Sequence, residues 1–378
     1  MMRTVLLSDI CSYVNSKIQV EQVQLTNYVS TENLLQNKGG LSVANKLPSG
    51  KVTAFQAGDV LVSNIRPYFK KIWLADRSGG ASNDVLVFRK LNDEIYEKYL
   101  YYILADDRFF AFSTASASGS KMPRGDKVQI MNYPVKLPPL ESQKKIADIL
   151  SSLDEKIELN RRMNETLEQL GQALFRYYFV DNPEAKNWKR GVISDLGEVV
   201  TGKTPSKKNQ KFFGDEVAFL KVPDMHKTSI VIKTSDNLSL MGAESQKSKY
   251  ISRWSTCVSC IATVGVVSLA GKNMQTNQQI NSIIPRESYF KFFNYFLMRH
   301  KSDYIKTLAS SGSATPNLNM GHFSNITVVI PDRELLKEFD ARVNHLFLQM
   351  ENNLQENETL MNIRDSLLLK LISGEIIL

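Results

Sequence analysis

The residues best suited to chemistry are Lys, Arg and Asn side chains in loop-like segments of both halves of the chain. In the first half the candidates are Arg66, Tyr68, Lys70, Lys71, Lys121, Arg124 and Lys127. In the second half they are Lys203, Lys207, Lys208 and Lys211, with Asn317 and Asn319 in an uncharged Ser/Gly loop. Lys and Arg neutralise phosphates, and Arg and Asn also form paired hydrogen bonds with base edges. The clusters predict a surface that faces nucleic acid, whereas each residue by itself is better explained as an ordinary solvated charge.

Composition agrees with a polyanionic partner. The chain has 378 residues, of which 43% are hydrophobic, and a net charge of +8. Such a charge favours nucleic acid over a neutral partner, although a merely basic globular protein has it too. We expect a cytoplasmic protein, because the N-terminal segment does not resemble a signal peptide and the longest apolar stretch is shorter than the ~20 residues of a membrane span.

Patterns typical of catalysis or metal binding are weak. Cys257 and Cys260 have CxxC spacing, but no second pair completes a zinc site, and their β-branched apolar surroundings predict a buried strand. Asp332 follows a proline as in some nuclease sites, but no acid-x-Lys triplet accompanies it. An acid is also favoured at a helix start, which is how we interpret Asp332. We find no glycine-rich phosphate or methyl-donor loop, and we predict no catalytic residue and no metal site.

An internal repeat organises the whole sequence. The tetrapeptide Asn164–Leu167 recurs 193 residues later as Asn357–Leu360, and the Ser/Gly loop that begins at Ser118 recurs at Ser311. A segment that begins at Leu7 recurs at Ile193, so the offset is shorter near the start of each copy. Each half is therefore predicted to contain a strand-rich variable region followed by one long helix.

The two long segments have the heptad spacing of helices that pair. The predicted seam residues are Ile146, Leu150, Leu153, Ile157, Leu167 and Leu174 in the first segment, and Phe339, Val343, Leu346, Met350, Leu360, Leu367 and Leu371 in the second. Because such a seam is unstable when it is exposed, we expect the helices to pair with each other, antiparallel and about a pseudo-twofold axis.

Two asparagines interrupt each seam at matching places. They are Asn160 and Asn164 in the first helix and Asn353 and Asn357 in the second. A buried asparagine layer fixes the register of paired helices at a cost in stability. The alternative is a solvated face at a bend.

Further apolar residues lie outside the seam. They are Leu159, Leu170, Phe175, Tyr177, Tyr178, Phe179, Leu348, Ile363, Leu368 and Leu369. These residues either pack on the protein's own globular domains or hold partner helices.

The predicted fold is therefore α+β. Two globular strand-rich domains, residues 1–137 and 181–330, are separated by a pair of long antiparallel coiled-coil helices, residues 138–180 and 331–378.

This organisation resembles the specificity subunit of type I restriction–modification enzymes. The family's pattern P-x-x-x-Q-x-x-I…L…L-D-x-x-I…N is carried by Pro139, Gln143, Ile146, Leu150, Leu153, Asp154, Ile157 and Asn160. The second copy departs from it, because Leu336 takes the place of Gln143 and Phe347 that of Asp154. The twofold organisation nevertheless covers essentially the whole chain.

The resemblance implies a non-catalytic, sequence-specific DNA-binding subunit. Each strand-rich domain would be a target recognition domain for one half of a bipartite, asymmetric site in double-stranded DNA. The helices would set the spacer and dock two methyltransferase subunits. Those subunits would use S-adenosylmethionine, and any motor–nuclease subunits would use ATP and Mg²⁺, so that this chain binds no cofactor. Two alternatives stay open: a protein–protein scaffold without specific DNA binding, and a self-contained DNA modification enzyme.

Overall fold

The computed structural model describes residues 2–226, 228–310 and 316–378. It divides into two compact units: unit 1 comprises residues 1–157 and 359–378, and unit 2 comprises residues 158–358. Both divisions fall inside the two long helices, so each unit contains one globular part and a half of each helix. The domain boundaries at 137, 180 and 330 stay predictions, since these units divide the chain by compactness and not by the repeat.

Unit 1 is built from short strands and helices. Its strands are β1 Arg3–Leu6, β2 Cys11–Tyr13, β3 Lys17–Gln19, β4 Tyr28–Val29, β5 Lys51–Phe55, β6 Val60–Ser63, β7 Ile72–Leu74, β8 Gly79–Ala81, β9 Val85–Lys90 and β10 Pro134–Leu137. They form sheets of order β2-β9-β6-β7, β3-β5-β8-β4 and β1-β10. Its helices are α1 Leu7–Ile10, α2 Glu97–Ala105, α3 Asp107–Ala115, α4 Lys127–Met131 and the start of α5 Leu140–Phe175.

Unit 2 follows a related plan. Its strands are β11 Lys189–Val192, β12 Gly197–Thr201, β13 Phe213–Leu220, β14 Ile230–Val231, β15 Asp236–Leu238, β16 Tyr250–Ile251, β17 Thr256–Ser259, β18 Val267–Ala270, β19 Met274–Thr276, β20 Ile280–Pro285 and β21 Thr327–Ile330. The sheet orders are β12-β20-β17-β18-β14, β15-β13-β19-β16 and β11-β21. The helices are α6 Ile193–Leu196, α7 Val222–Met225, α8 Leu240–Glu244, α9 Lys291–His300, α10 Ser302–Ser310, α11 Met320–Ser324 and the first part of α12 Arg333–Ser373. Unit 2 also contains the end of α5, and unit 1 contains the end of α12.

The sheet topology confirms the internal repeat and the α+β fold class. The order β2-β9-β6-β7 of unit 1 recurs in unit 2 as β12-β20-β17-β18. The parallel pair β4 and β8 recurs as β13 and β19, and the antiparallel pair β1 and β10 recurs as β11 and β21. The two copies therefore share a chain path although their strand sequences differ.

The long helices run antiparallel where unit 2 contains both of them. The side-chain amide of Asn160 donates to Asn357 Oδ1 at 2.9 Å, and that of Asn353 donates to Asn164 Oδ1 at 2.8 Å. The numbering rises along one helix as it falls along the other, which is the antiparallel order. Asn160, Asn353 and Asn357 are buried, so the solvated-face interpretation of these asparagines is wrong.

The start of α12 agrees with its sequence. Helix α5 has 36 residues and α12 has 41, or about 54 and 62 Å at 1.5 Å per residue. Helix α12 starts directly after Asp332, whose carbonyl accepts from Leu336 N, so the interpretation of Asp332 as a helix-start residue is confirmed. A π-helical turn, Arg176–Val180, continues α5.

Each helix contributes apolar residues to the cores of both units. Phe175, Tyr178 and Phe179 join the aromatic core of unit 2, and Leu368 joins the core of unit 1. These four residues pack on the protein's own globular parts, which was one of the two interpretations. The other off-seam residues stay at least one-third exposed: Leu159, Leu170, Tyr177, Leu348, Ile363 and Leu369.

The structure explains why the second copy of the family pattern lacks a glutamine. In unit 1 the Gln143 amide donates to the Glu94 and Pro138 carbonyls at 2.8 and 2.9 Å, and its oxygen accepts from Tyr96 N at 2.9 Å. In unit 2 the equivalent Leu336 is buried in the apolar core. The same helix start is thus held by hydrogen bonds in one unit and by apolar packing in the other.

The absence of an aspartate from the second copy of the family pattern has a similar explanation. In unit 1 Asp154 accepts from Tyr102 OH and from Arg364 Nη1, both at 2.8 Å, and the Arg364 side chain is only 7% exposed. Burial disfavours the Arg364 charge, but the Asp154 carboxylate raises the pKa of Arg364 above its usual value.

Unit 2 places apolar groups at the corresponding positions. An offset of 193 residues aligns Asp154 with Phe347 and Arg364 with Gly171. Phe347 packs against Phe296 with ring centroids 5.7 Å apart. A Cβ at Gly171 would lie 2.6 Å from the Phe296 ring, so glycine is needed for this close approach.

Arg364→Met tests the polar set of unit 1. We expect the free energy of unfolding to fall by roughly 3 kcal/mol, because Asp154 keeps its charge and loses its counter-charge in a largely buried place. The triple variant Tyr102→Phe, Asp154→Leu, Arg364→Met removes every polar group of the set and should recover at least half of the loss. Urea denaturation of the full chain measures both, with Tyr102→Phe as the control. A triple variant no more stable than Arg364→Met contradicts the prediction.

Candidate nucleic-acid interface

Two loops of unit 1 bring basic candidates together. The loop after β6 contains Arg66, and the loop before α4 contains Lys121 and Arg124. Ile65 and Arg124 form an isolated antiparallel bridge between these loops, and Arg66 N donates to Pro123 O at 2.8 Å. The structure thus joins segments that lie almost 60 residues apart in the sequence.

Arg124 is held from one side by a carboxylate. Its Nε and Nη2 both donate to Asp84 Oδ1 at 3.1 Å, and its side chain remains 53% exposed. Asp84 is tied to the first loop in turn, because its carbonyl accepts from Asn64 N at 2.8 Å. Asp84 therefore orients a guanidinium that still faces solvent.

Arg66 has a different role. Its backbone is left-handed, with φ 51°, a conformation that is uncommon outside glycine. Its Nη2 donates to the Lys121 carbonyl at 3.1 Å, and its guanidinium lies 6.0 Å from the Phe69 ring centroid. Arg66 therefore organises the loop pair, while Lys121 itself is exposed.

The remaining candidates of unit 1 are less uniform. Lys70 donates to Asp107 at 2.8 Å, and Lys71 donates to the Thr31 carbonyl. Burial favours a neutral Asp107, but the hydrogen bond from Lys70 and the nearby Lys38 lower the pKa of Asp107. These contacts occupy two of the lysines within the unit. Two candidates are exposed: Tyr68 and Lys127.

The lysines of unit 2 lie on one segment that runs from the end of β12 through the 3₁₀ turn Gln210–Phe212, and all four are exposed. They are Lys203, Lys207, Lys208 and Lys211. Buried groups hold the start of this segment, because Gln246 Nε2 donates to the Lys203 carbonyl at 2.8 Å and to Gln275 Oε1 at 2.7 Å. A Cβ at Gly202 would lie 2.2 Å from the Asn277 carbonyl, so only glycine fits there. The start of the segment is therefore fixed by buried contacts, and the rest of it carries exposed positive charges.

The loop pair of unit 1 recurs in unit 2. Ile261 and Asn317 form the isolated bridge, and Ala262 N donates to Pro316 O at 3.0 Å. Ala262 is also left-handed, with φ 62°. We call this arrangement the loop frame: residues 64–66 with 123–125 in unit 1, and residues 260–262 with 316–318 in unit 2. Residues 311–315, which carry the second copy of the Ser/Gly loop in the sequence, lie outside the described residues.

Asn319 caps a helix. Its Oδ1 accepts from His322 N at 2.9 Å at the start of α11. Asp126 caps α4 in the same way, accepting from Val128 N and Gln129 N. Asn319 lies 193 residues after Asp126, so the repeat already contained the signal that this residue is a cap.

Sequence reasoning missed two polar residues of unit 1. Lys17 donates to Thr53 Oγ1 at 2.8 Å and to Asn83 Oδ1 at 2.6 Å. The offset that aligns Leu7 with Ile193 also aligns Lys17 with Lys203, which was the available signal. Asp84 was missed because nothing in the sequence links it with Arg124.

The cysteines pack as apolar residues. Cys257 lies in β17, Cys260 follows that strand directly, and both are buried, so the strand interpretation is confirmed. Burial raises the pKa of each thiol to about 12, which keeps both protonated. In the described ranges, no three His, Cys, Asp or Glu side chains cluster as metal ligands. Among the same residues no helix is long and apolar enough to cross a membrane.

A family model for the "Type I restriction modification DNA specificity domain" matches the chain twice, at residues 2–169 and 185–347. The chain belongs to this family. The two matches coincide with the two copies of the repeat, and each match ends within one of the long helices. Family membership makes this chain a DNA-specificity protein, as the resemblance implied.

Relatives of the same family match most or nearly all of the chain. The chain is 32% identical to the type I restriction enzyme HindI specificity subunit of Haemophilus influenzae, with 98% of both chains covered. It is 25% identical to the MjaIX specificity subunit of Methanocaldococcus jannaschii, covering 75% of this chain and 70% of that one. The crystal structure of an S subunit from M. genitalium shares the fold, with a TM-score of 0.59 and 15% identity over 98% of this chain and 96% of that one.

We expect the lysine segment of unit 2 to contact phosphates. The double variant Lys207→Ala, Lys208→Ala should weaken binding equally on specific and random DNA, because phosphates carry no sequence information. The slope of log affinity against log salt should fall by about 2, since each lost contact contributes roughly 0.9. The exposed pair Lys186→Ala, Lys189→Ala is the charge-matched control, and binding titrations across salt concentrations measure all three proteins. Equal slopes for both double variants contradict the prediction.

Proposed function

We propose that each unit of this DNA-specificity subunit recognises one half of a bipartite, asymmetric site in double-stranded DNA. The observation that carries the proposal is the loop frame, which has the same backbone contacts in both units and different side chains. Arg66 and Arg124 occupy the frame of unit 1, whereas Ala262 and Asn317 occupy that of unit 2. A repeated scaffold with unlike side chains is suited to two unlike half-sites.

The proposal gives the long helices two tasks: setting the spacer between the half-sites and docking two methyltransferase subunits. The hydrogen-bonded asparagine pairs support the first task, because a fixed register gives the helix pair a defined length. The exposed apolar side chains support the second, because a helix with apolar residues outside its seam can pack against further helices. They are Leu159, Leu170, Tyr177, Leu348, Ile363 and Leu369.

The proposal leaves the chemistry to other subunits. A methyl group would come from S-adenosylmethionine in the methyltransferase subunits, and any motor–nuclease subunits would use ATP and Mg²⁺. A base in a duplex must leave the stack before it can be modified, and this chain would position the DNA for that step. Because the substrate is cellular DNA, the proposed place of action is the cytoplasm.

Co-expression with the partner methyltransferase, followed by single-molecule methylome sequencing, tests the proposal. We expect methylation at a split motif with a constant gap, and none from the methyltransferase alone. Methyl transfer by the purified chain alone would instead show a self-contained enzyme. Absence of any sequence-specific binding or methylation with the partner present would show a protein–protein scaffold.

Lengthening both helices tests the spacer role. We insert seven residues between Ile157 and Glu158 and seven between Glu358 and Thr359, where the compact units divide. Seven residues are close to two helical turns, so each helix keeps its apolar face, and about 10.5 Å is added. At 3.4 Å per base pair the gap should grow by about three base pairs, while both half-sites keep their bases. Changed half-sites with an unchanged gap contradict the prediction, and an insertion in one helix alone is the control that breaks the register.

A further inference from the structure

Arg124 and Asn317 occupy the same place in the two copies of the loop frame. Each forms the isolated bridge to an isoleucine that follows a central strand, Ile65 after β6 and Ile261 after β17. Each follows a proline whose carbonyl accepts the amide of a left-handed residue, at 2.8 Å in unit 1 and 3.0 Å in unit 2. The residue after each donates its amide back to the first loop, at 3.3 and 2.9 Å. The backbone contacts to the first loop are therefore the same at this position, whereas the side chains differ.

We propose that Arg124 and Asn317 are the specificity-determining side chains of the two half-sites, Arg124 for a guanine and Asn317 for an adenine. This inference rests on the proposed function and deepens it. Arginine forms a bidentate contact with O6 and N7 of guanine, and asparagine forms one with N6 and N7 of adenine in the major groove. The proposal thus assigns a base as well as a residue to each unit.

The side chain of Arg124 is prepared for such a contact. Of the five N–H donors of a guanidinium, Asp84 takes the one on Nε and one on Nη2, both at 3.1 Å. Among the described residues, the donors on Nη1 and the second donor on Nη2 have no hydrogen-bond partner and remain for a paired contact, and the side chain is 53% exposed. Asp84 restricts the rotation of the guanidinium, which makes it a positioning residue for this contact.

Asn317 is prepared in a simpler way. Its backbone amide donates to the Ala309 carbonyl at 3.0 Å, so the main chain is anchored on both sides by this bond and by the bridge to Ile261. The residue is exposed. An asparagine side chain has only two rotatable bonds, so a fixed backbone places its carboxamide within a small volume.

The neighbouring candidates do not offer a pair of available side-chain hydrogen-bonding groups in both units. Arg66 is engaged with the Lys121 carbonyl, and its counterpart Ala262 has no polar side-chain atom. Asn319 uses its side-chain oxygen as a helix cap. The lysines carry a point charge without the fork that distinguishes bases. Within the described part of the frame, only the position of Arg124 and Asn317 offers paired hydrogen-bonding groups in both units.

Reciprocal exchange tests the inference in the co-expressed complex. Methylome sequencing of Arg124→Asn should show one half-site losing its guanine preference at one position, by about tenfold or more, as expected for a lost bidentate contact. Asn317→Arg should exchange adenine for guanine at one position of the other half-site. Arg77→Asn is the matched control, because Arg77 is also an exposed arginine of unit 1 that pairs with an aspartate. This control should leave the motif unchanged.

Two milder variants keep the inference testable if the Arg124→Asn or Asn317→Arg protein fails to assemble with its partner. Arg124→Lys keeps the charge and loses the forked donor geometry, and Asp84→Asn weakens the positioning of Arg124. Both variants should lower the preference for the same guanine while methylation of the other half-site continues. The inference is overturned if the motif contains no such guanine, if all variants keep every base, or if both positions affect one half-site. A wild-type complex that methylates no split motif would overturn the proposed function itself, which is a distinguishable outcome.

Discussion

The rest of the structure depends on the pairing of two long helices that cannot bury their seams alone. An amphipathic helix of about 54 Å exposes a continuous apolar face unless another helix covers it. In unit 2 the two helices pack antiparallel, and the buried side-chain amides of Asn160 and Asn357 form a hydrogen bond. The Oδ1 of Asn160 has no partner among the described residues, so this layer gains a unique register at the expense of stability.

The two units solve the same packing problem with different chemistry. Unit 1 secures its part of α5 with the hydrogen bonds of Gln143 and with the largely buried Asp154–Arg364 ion pair, whereas unit 2 uses Leu336, Phe347 and the close approach at Gly171. A charged group moved into the aromatic set would lose its partner, and burying an unpaired charge is costly. The departures of the second copy from the family pattern therefore belong together, because each replaces a polar group of unit 1 with an apolar one.

The loop frame shows how one backbone can present different chemistry. Its contacts are main-chain hydrogen bonds and a bridge, which are independent of side-chain type. The outward positions can then differ between the copies without disturbing the fold, as Arg124 and Asn317 do. Left-handed non-glycine residues at both frames, Arg66 and Ala262, indicate local strain that the surrounding hydrogen bonds maintain, as is common at functional sites.

The sequence by itself determined the repeat, the asparagine positions, the strand around Cys257 and the family, because these depend on local periodicity and on short-range spacing. The tertiary structure decided which candidate residues stand together. Arg124 meets Ile65 and Asp84 only because strands and loops some 40 to 60 residues apart are paired in the fold, and such contacts leave no local pattern. The engagement of Lys70 by Asp107 is likewise a product of tertiary packing. Charge and residue type predict that a surface binds a polyanion, whereas long-range contacts determine which side chains are oriented and which remain exposed.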